Sequence, residues 1–80
     1  MDNKEKLKKI FIESLSIEGN KFTESLEYND IPEWDSIGHM TLMSELEDNF
    51  DITISTEDLI QFESYKQGVE ILDKYSVKVN

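Results

Sequence analysis

A chain of 80 residues is expected to form one small domain over residues 1–80, near the lower limit of what a hydrophobic core holds together unaided. It contains no cysteine, which excludes disulfides, thiolate metal sites and any reactive thiol of its own. Eighteen acids against eight lysines give a formal net charge of -10, a field that repels nucleic acid and anionic lipid and draws basic protein surfaces. No stretch has the length of a bilayer span, and the lysine-rich start, Met1 to Lys9, has no apolar run behind it. A cytoplasmic protein with no signal segment is therefore expected.

In chain order, Leu7, Ile10, Phe11 and the pair Ser14-Leu15 recur at helical spacing and predict a first helix from about Lys4 to Leu15. Asp2 or Asn3 is its candidate cap. A long connection follows, about Ser16 to Trp34, broken at Gly19-Asn20 and closed by Pro32. Ile17, Phe22, Leu26, Tyr28, Ile31 and Trp34 punctuate it, so it is expected to lie across the bundle and complete the core. Pro32 disfavours helix before it and Asp35 is a good N-cap, which starts the second helix at Ser36 and runs it to Asn49 or Phe50. On that helix Leu42, Met43, Leu46 and Phe50 form one core stripe. Ile52-Thr53-Ile54 is the only strand-like fragment and has no partner. Thr56-Glu57-Asp58 opens a short helix through about Phe62. Glu63 or Ser64 caps a last helix to about Tyr75, with Tyr65, Val69, Leu72 and Tyr75 or Ser76 on one face. The predicted fold is all-α: a small four-helix bundle of three longer helices and one short helix, with a long first loop.

No lysine stands between Glu24 and Glu63, a window that holds twelve of the acids. At its centre is Ser36, the first residue of the second helix. Its hydroxyl is expected to face solvent, and a phosphate placed there would meet free N–H groups and the positive end of the helix dipole. An Asp-Ser pair also opens countless helices as a plain cap, so the pair alone decides nothing. The same helix has more apolar surface than a core face needs. Ile37 and Met40 lie on another flank among Thr41, Ser44, Glu47 and Asp48, an apolar patch rimmed by acid that suits basic partners if it does not pack under the loop. Gly38 costs about 1 kcal/mol against alanine inside a helix and reads either as room for close approach by a partner or the arm, or as a tolerated first-turn glycine. His39, one turn from Ser36, reads either as a group that touches the phosphate when protonated or as a solvated surface residue.

Asp35-Ser36-Ile37 resembles the Asp-Ser-Leu attachment motif of acyl carrier proteins, with isoleucine for leucine. The helix after it, through Leu42, Met43, Leu46-Glu47 and Phe50-Asp51, is similar to that family's second helix, and Thr56-Glu57-Asp58-Leu59 resembles its entry into a short third helix. The resemblance implies a carrier that is not an enzyme, with 4'-phosphopantetheine attached to Ser36 by a phosphopantetheinyl transferase that uses coenzyme A. Asp35 would help hold the magnesium of that transfer. Ile37, Met40, Glu47 and Asp48 fall at positions that contact partners: an acyl- or aminoacyl-loading ligase, and a downstream acyltransferase or synthase with a basic docking patch. The carrier would be a monomer, and Phe50, Ile54 and Leu59 would line a place for an acyl chain. Trp34 before Asp35, and Gly38-His39 after Ile37, look more like carriers of specialised pathways than housekeeping fatty-acid carriers.

Three rival readings bear on the same residues. A Ser-His hydrolase would need His39 as base for Ser36, an oriented acid and an oxyanion hole, and no glycine-rich elbow is present. A calcium loop would need acids in a register that Asp48-Phe50-Ile52 does not supply. An unmodified acidic helical adaptor for protein–protein interaction is the remaining alternative.

Overall fold

The structure, a computed structural model, describes residues 2–79. Helix α1 (Asn3–Leu15) begins where Asp2 accepts a 2.9 Å hydrogen bond from the Glu5 N–H, which satisfies one of the donors a helix start leaves unpaired. It ends at Ser16 in the left-handed region, φ 53°, where the N–H groups of Ser16 and Ile17 return to the carbonyls of Glu13 and Ile12. Helix α2 (Ser36–Phe50) follows the long loop, α3 (Thr56–Gln61) is a short helix, and α4 (Tyr65–Lys74) closes the bundle. Ser55 and Ser64 cap α3 and α4 through their hydroxyls. Among the described residues there is no strand, only one isolated antiparallel bridge between Glu27 and Ser64, so the fold is the all-α four-helix arrangement expected.

The loop between α1 and α2 behaves as a fifth wall. Ile17, Leu26 and Trp34 are buried, and Phe22, Tyr28 and Ile31 pack against the core partly exposed. One 3-10 turn, Gly19–Lys21, interrupts it. It is fastened to the α3–α4 junction by Tyr28 N–H to Glu63 carbonyl (2.8 Å) and Tyr65 N–H to Leu26 carbonyl (2.9 Å). Phe11 of α1 is the hub: its ring centroid lies 5.4 Å from Trp34, 5.6 Å from Phe22, 5.7 Å from Tyr65 and 6.3 Å from Phe62. The lysines of α1 are put to structural use. Lys4 pairs with Glu24, Lys6 donates to the Asn49 carbonyl and lies over the Phe50 ring, and Lys8 lies over Phe22.

The face expected for α4 is met at Tyr65 and Leu72 and is extended by Gly68 and Ile71. Tyr65, Gly68, Ile71 and Leu72 are buried, whereas Val69 and Tyr75 are only partly covered. The cause is the Phe62 ring. A Cβ on Gly68 would lie 2.3 Å from Phe62 Cζ, so the helix turns its glycine inward to admit that ring. After α4, Val77 and Val79 return to the core and Asn3 ties the carbonyl of Lys78 to the start of α1.

Candidate functional site

The site is built at the junction of the loop and α2. Asp35, extended at φ -107° and ψ -167°, accepts a 2.9 Å bond from the Gly38 N–H and so caps the helix. Ser36 is then the first helical residue, and its side chain is exposed. The N–H groups of Ser36 and Ile37 make no hydrogen bond among the described residues, and the second Asp35 carboxylate oxygen is likewise free there. The two N–H groups are donors that suit a phosphate ester on the serine, whereas the carboxylate oxygen only accepts. A pocket of ≈ 290 Å³ opens beside Ser36, walled by Tyr28, His39 and Met40 on one side and by Leu59, Ile60 and Phe62 on the other, with Glu63 at its edge. Of the three residues expected to line a place for an acyl chain, Leu59 is among those that wall this pocket. Phe50 instead carries the Lys6 ammonium 4.9 Å above its ring, and Ile54 is buried in the core.

Ile37 (77% exposed) and Met40 (56%) stand free, so they do not pack under the loop. Ile60 of α3 (65%) joins them, and it shares the pocket beside Ser36 with Met40. The sequence reading missed Ile60, because a six-residue helix has too few positions to show which face is buried. Asp48 is exposed as expected. Glu47 is half-buried, and its carboxylate accepts a 2.8 Å bond from the Ile54 N–H, holding the α2–α3 connection.

Two expectations for the first turn are corrected. His39 is not a solvated residue; it is 8% exposed. Trp34 Nε1–H donates to His39 Nδ1 at 3.0 Å, and His39 Nε2 lies 2.9 Å from the Leu59 carbonyl. An indole N–H only donates and a carbonyl only accepts, so the ring is the neutral tautomer with its proton on Nε2. With both nitrogens engaged it has no lone pair to offer Ser36, which removes the hydrolase reading. The stripe Leu42, Met43, Leu46 extends back one turn to His39, a signal hidden by the residue's polar type. Gly38 answers neither alternative offered for it. A Cβ there would fall 2.1 Å from the Glu33 carbonyl oxygen, so the glycine admits the chain's own loop, not a partner.

A family model described as a phosphopantetheine attachment site matches residues 5–72. The chain belongs to this carrier family. The chain is also 30% identical over 74 residues to the acyl carrier proteins of two strains of Buchnera aphidicola subsp. Acyrthosiphon pisum, Tuc7 and APS, covering 92% of each chain. As a carrier of this family it is not a catalyst, its cofactor is phosphopantetheine, and it works with a phosphopantetheinyl transferase and with enzymes that handle acyl groups. No helix among the described residues is long and apolar enough to cross a membrane.

The ionisable groups with displaced values, Asp58, Lys74 and Tyr65, do not wall the pocket beside Ser36. Asp58, 5% exposed, accepts from Lys74 Nζ at 2.7 Å and from the Tyr75 hydroxyl at 2.6 Å. The Lys74 bond first, and then the Tyr75 bond, hold its carboxyl below the usual value against the opposing effect of burial. Lys74 is raised in turn by the same carboxylate. Burial pushes the Tyr65 phenol up.

Proposed function

We propose that residues 1–80 form a single carrier domain that bears phosphopantetheine on Ser36 and presents acyl or aminoacyl intermediates to partner enzymes as a cytoplasmic monomer. The observation that carries this reading is Ser36 itself: an exposed hydroxyl at the first position of α2, inside the span matched by the family, beside unpaired N–H groups and a mostly apolar pocket. In the transfer, Ser36 Oγ forms a bond to the phosphorus that carries the pantetheine of coenzyme A. The pyrophosphate P–O bond breaks, adenosine 3',5'-bisphosphate leaves with the electron pair, and the serine proton passes to a base of the transferase. Asp35 offers its free carboxylate oxygen to the magnesium of that step. Once attached, the arm supplies a terminal thiol on which cargo rides as a thioester, and its tether raises the cargo's local concentration at each partner.

Docking is assigned to the exposed apolar residues Ile37 and Met40, extended by Ile60, with Asp48 at the acidic rim. Partners are a loading ligase for acyl or aminoacyl groups and a downstream acyltransferase or synthase with a basic patch; nucleic acid is not among them. The half-buried Glu47 contributes charge to this face while serving the fold, so Asp48 is the cleaner probe. Asp48→Lys should slow loading most at low salt and leave folding stability within about 0.5 kcal/mol. Loading kinetics that ignore both the substitution and the salt would remove the acidic rim from the docking face. The anchor is tested by intact mass after incubation with coenzyme A and a broad-specificity phosphopantetheinyl transferase. One arm should be added to the unsubstituted chain and none to Ser36→Ala; an unaltered mass on folded protein would leave the unmodified adaptor.

A further inference from the structure

We infer that His39 is a positioning residue for the modification of Ser36, clamping the turn that presents the serine to helix α3 so that the transferase meets both as one rigid surface. This rests on Ser36 being the anchor. Ser36 and His39 are three apart on α2 and border the same pocket, while Trp34 enters the turn immediately before Asp35. Through Nδ1 the imidazole holds Trp34, and through Nε2–H it holds the Leu59 carbonyl. Among the described residues this second bond is the only hydrogen bond that runs directly between α2 and α3. The Leu59 carbonyl is one of the acceptors that the end of so short a helix leaves without an intrahelical partner, so the histidine completes α3 from outside.

An apolar residue of similar size would fill the same space but would orphan both the Trp34 N–H and the Leu59 carbonyl. Imidazole is the side chain that accepts from one and donates to the other across a single rigid ring. That ring is also fixed in plane. It lies side by side with Trp34, centroids 6.2 Å apart and planes 21° from parallel, and it meets Tyr28 at 5.6 Å and Phe62 at 6.0 Å edge to face. Helix α3 carries Ile60, one of the exposed apolar residues flanking Ser36, and its own apolar anchorage is slight. Without the clamp, the serine and Ile60 are no longer presented at one fixed separation.

The test is steady-state modification of the folded carrier by a broad-specificity transferase with coenzyme A, comparing the unsubstituted chain with H39A, H39N and H39Q. Glutamine reaches far enough to donate to Leu59, whereas asparagine keeps only an acceptor near Trp34. H39A and H39N should raise KM for the carrier about fivefold with kcat little changed, and H39Q should return KM to within about twofold of the parent. A side chain that merely fills space would lower the melting temperature of all three without separating glutamine from asparagine. Unchanged KM in H39A, or equal behaviour of H39Q and H39N, overturns the clamp alone. Failure to modify the unsubstituted chain removes the clamp and the anchor together. Should the variants not fold, nitrogen-15 NMR of the unsubstituted protein decides: a slowly exchanging proton on Nε2 and none on Nδ1 supports the clamp, and a proton on Nδ1 or a freely exchanging ring overturns it.

Discussion

Helices α2 and α3 both border the pocket beside Ser36, yet they are held in place by different forces. Helix α2 contributes Leu42, Met43 and Leu46 to the core that Leu7, Phe11 and Leu15 of α1 also enter, and such burial is broad and non-directional. Helix α3 buries only Asp58, leaves Leu59 half-covered and exposes Ile60. What fixes it is a short set of directed bonds: His39 to the Leu59 carbonyl, Asp58 to Lys74 and Tyr75, and Ser55 N–H to the Tyr75 hydroxyl at 3.0 Å. The serine therefore stands on the element held by buried apolar side chains, while its facing wall depends on a few polar atoms. An element held that way opens at lower free energy than one buried in the core.

The comparison is broken most severely through Leu46, fully buried on α2. Leu46→Ala should lower unfolding free energy in urea titration by about 2–5 kcal/mol, a large part of the total for so small a domain. A variant that unfolds like the parent would show that α2 is not anchored by its stripe. Gly38→Ala comes next. Helix propensity alone predicts a gain of about 1 kcal/mol, but the new Cβ would press on the Glu33 carbonyl, a clash of the kind that costs about 1–3 kcal/mol. The expected outcome is a lower melting temperature and slower arm transfer; a more stable protein would mean that the turn before Ser36 yields freely.

The smallest effect sharpens the picture of α3. Asp58 has a depressed carboxyl value, so its contribution is fully present above the ordinary unfolded value near ~4 and is lost as pH falls through the lower folded value. Lys74 is raised, and its contribution persists below about pH 10 and disappears as pH climbs through the folded value. Asp58→Asn should flatten the acid limb of a melting-temperature profile while leaving the α2 core intact. A profile that keeps its acid limb would place the responsible carboxylate elsewhere.

The order of the helices, the cap at Asp35, the exposed serine and the stripe Leu42, Met43, Leu46 were all legible from spacing and residue type, because a helix face repeats locally and a cap acts within three residues. The exposed pair Ile37 and Met40 was legible for the same reason. The place of Gly68 on the inward face of α4 was not, since it depends on where a ring from Phe62 comes to rest, although Tyr65 and Leu72 of that face were. Nor was the role of Gly38, whose neighbour is a loop carbonyl and not a partner. His39 is the clearest case: its polar type points to solvent. Only folding brings a tryptophan donor and an unpaired helix-end carbonyl to its two nitrogens, and those two bonds make burial of the ring affordable in free energy. Local pattern thus determined the elements and the anchor candidate; long-range hydrogen bonding decided what holds the anchor's surroundings still.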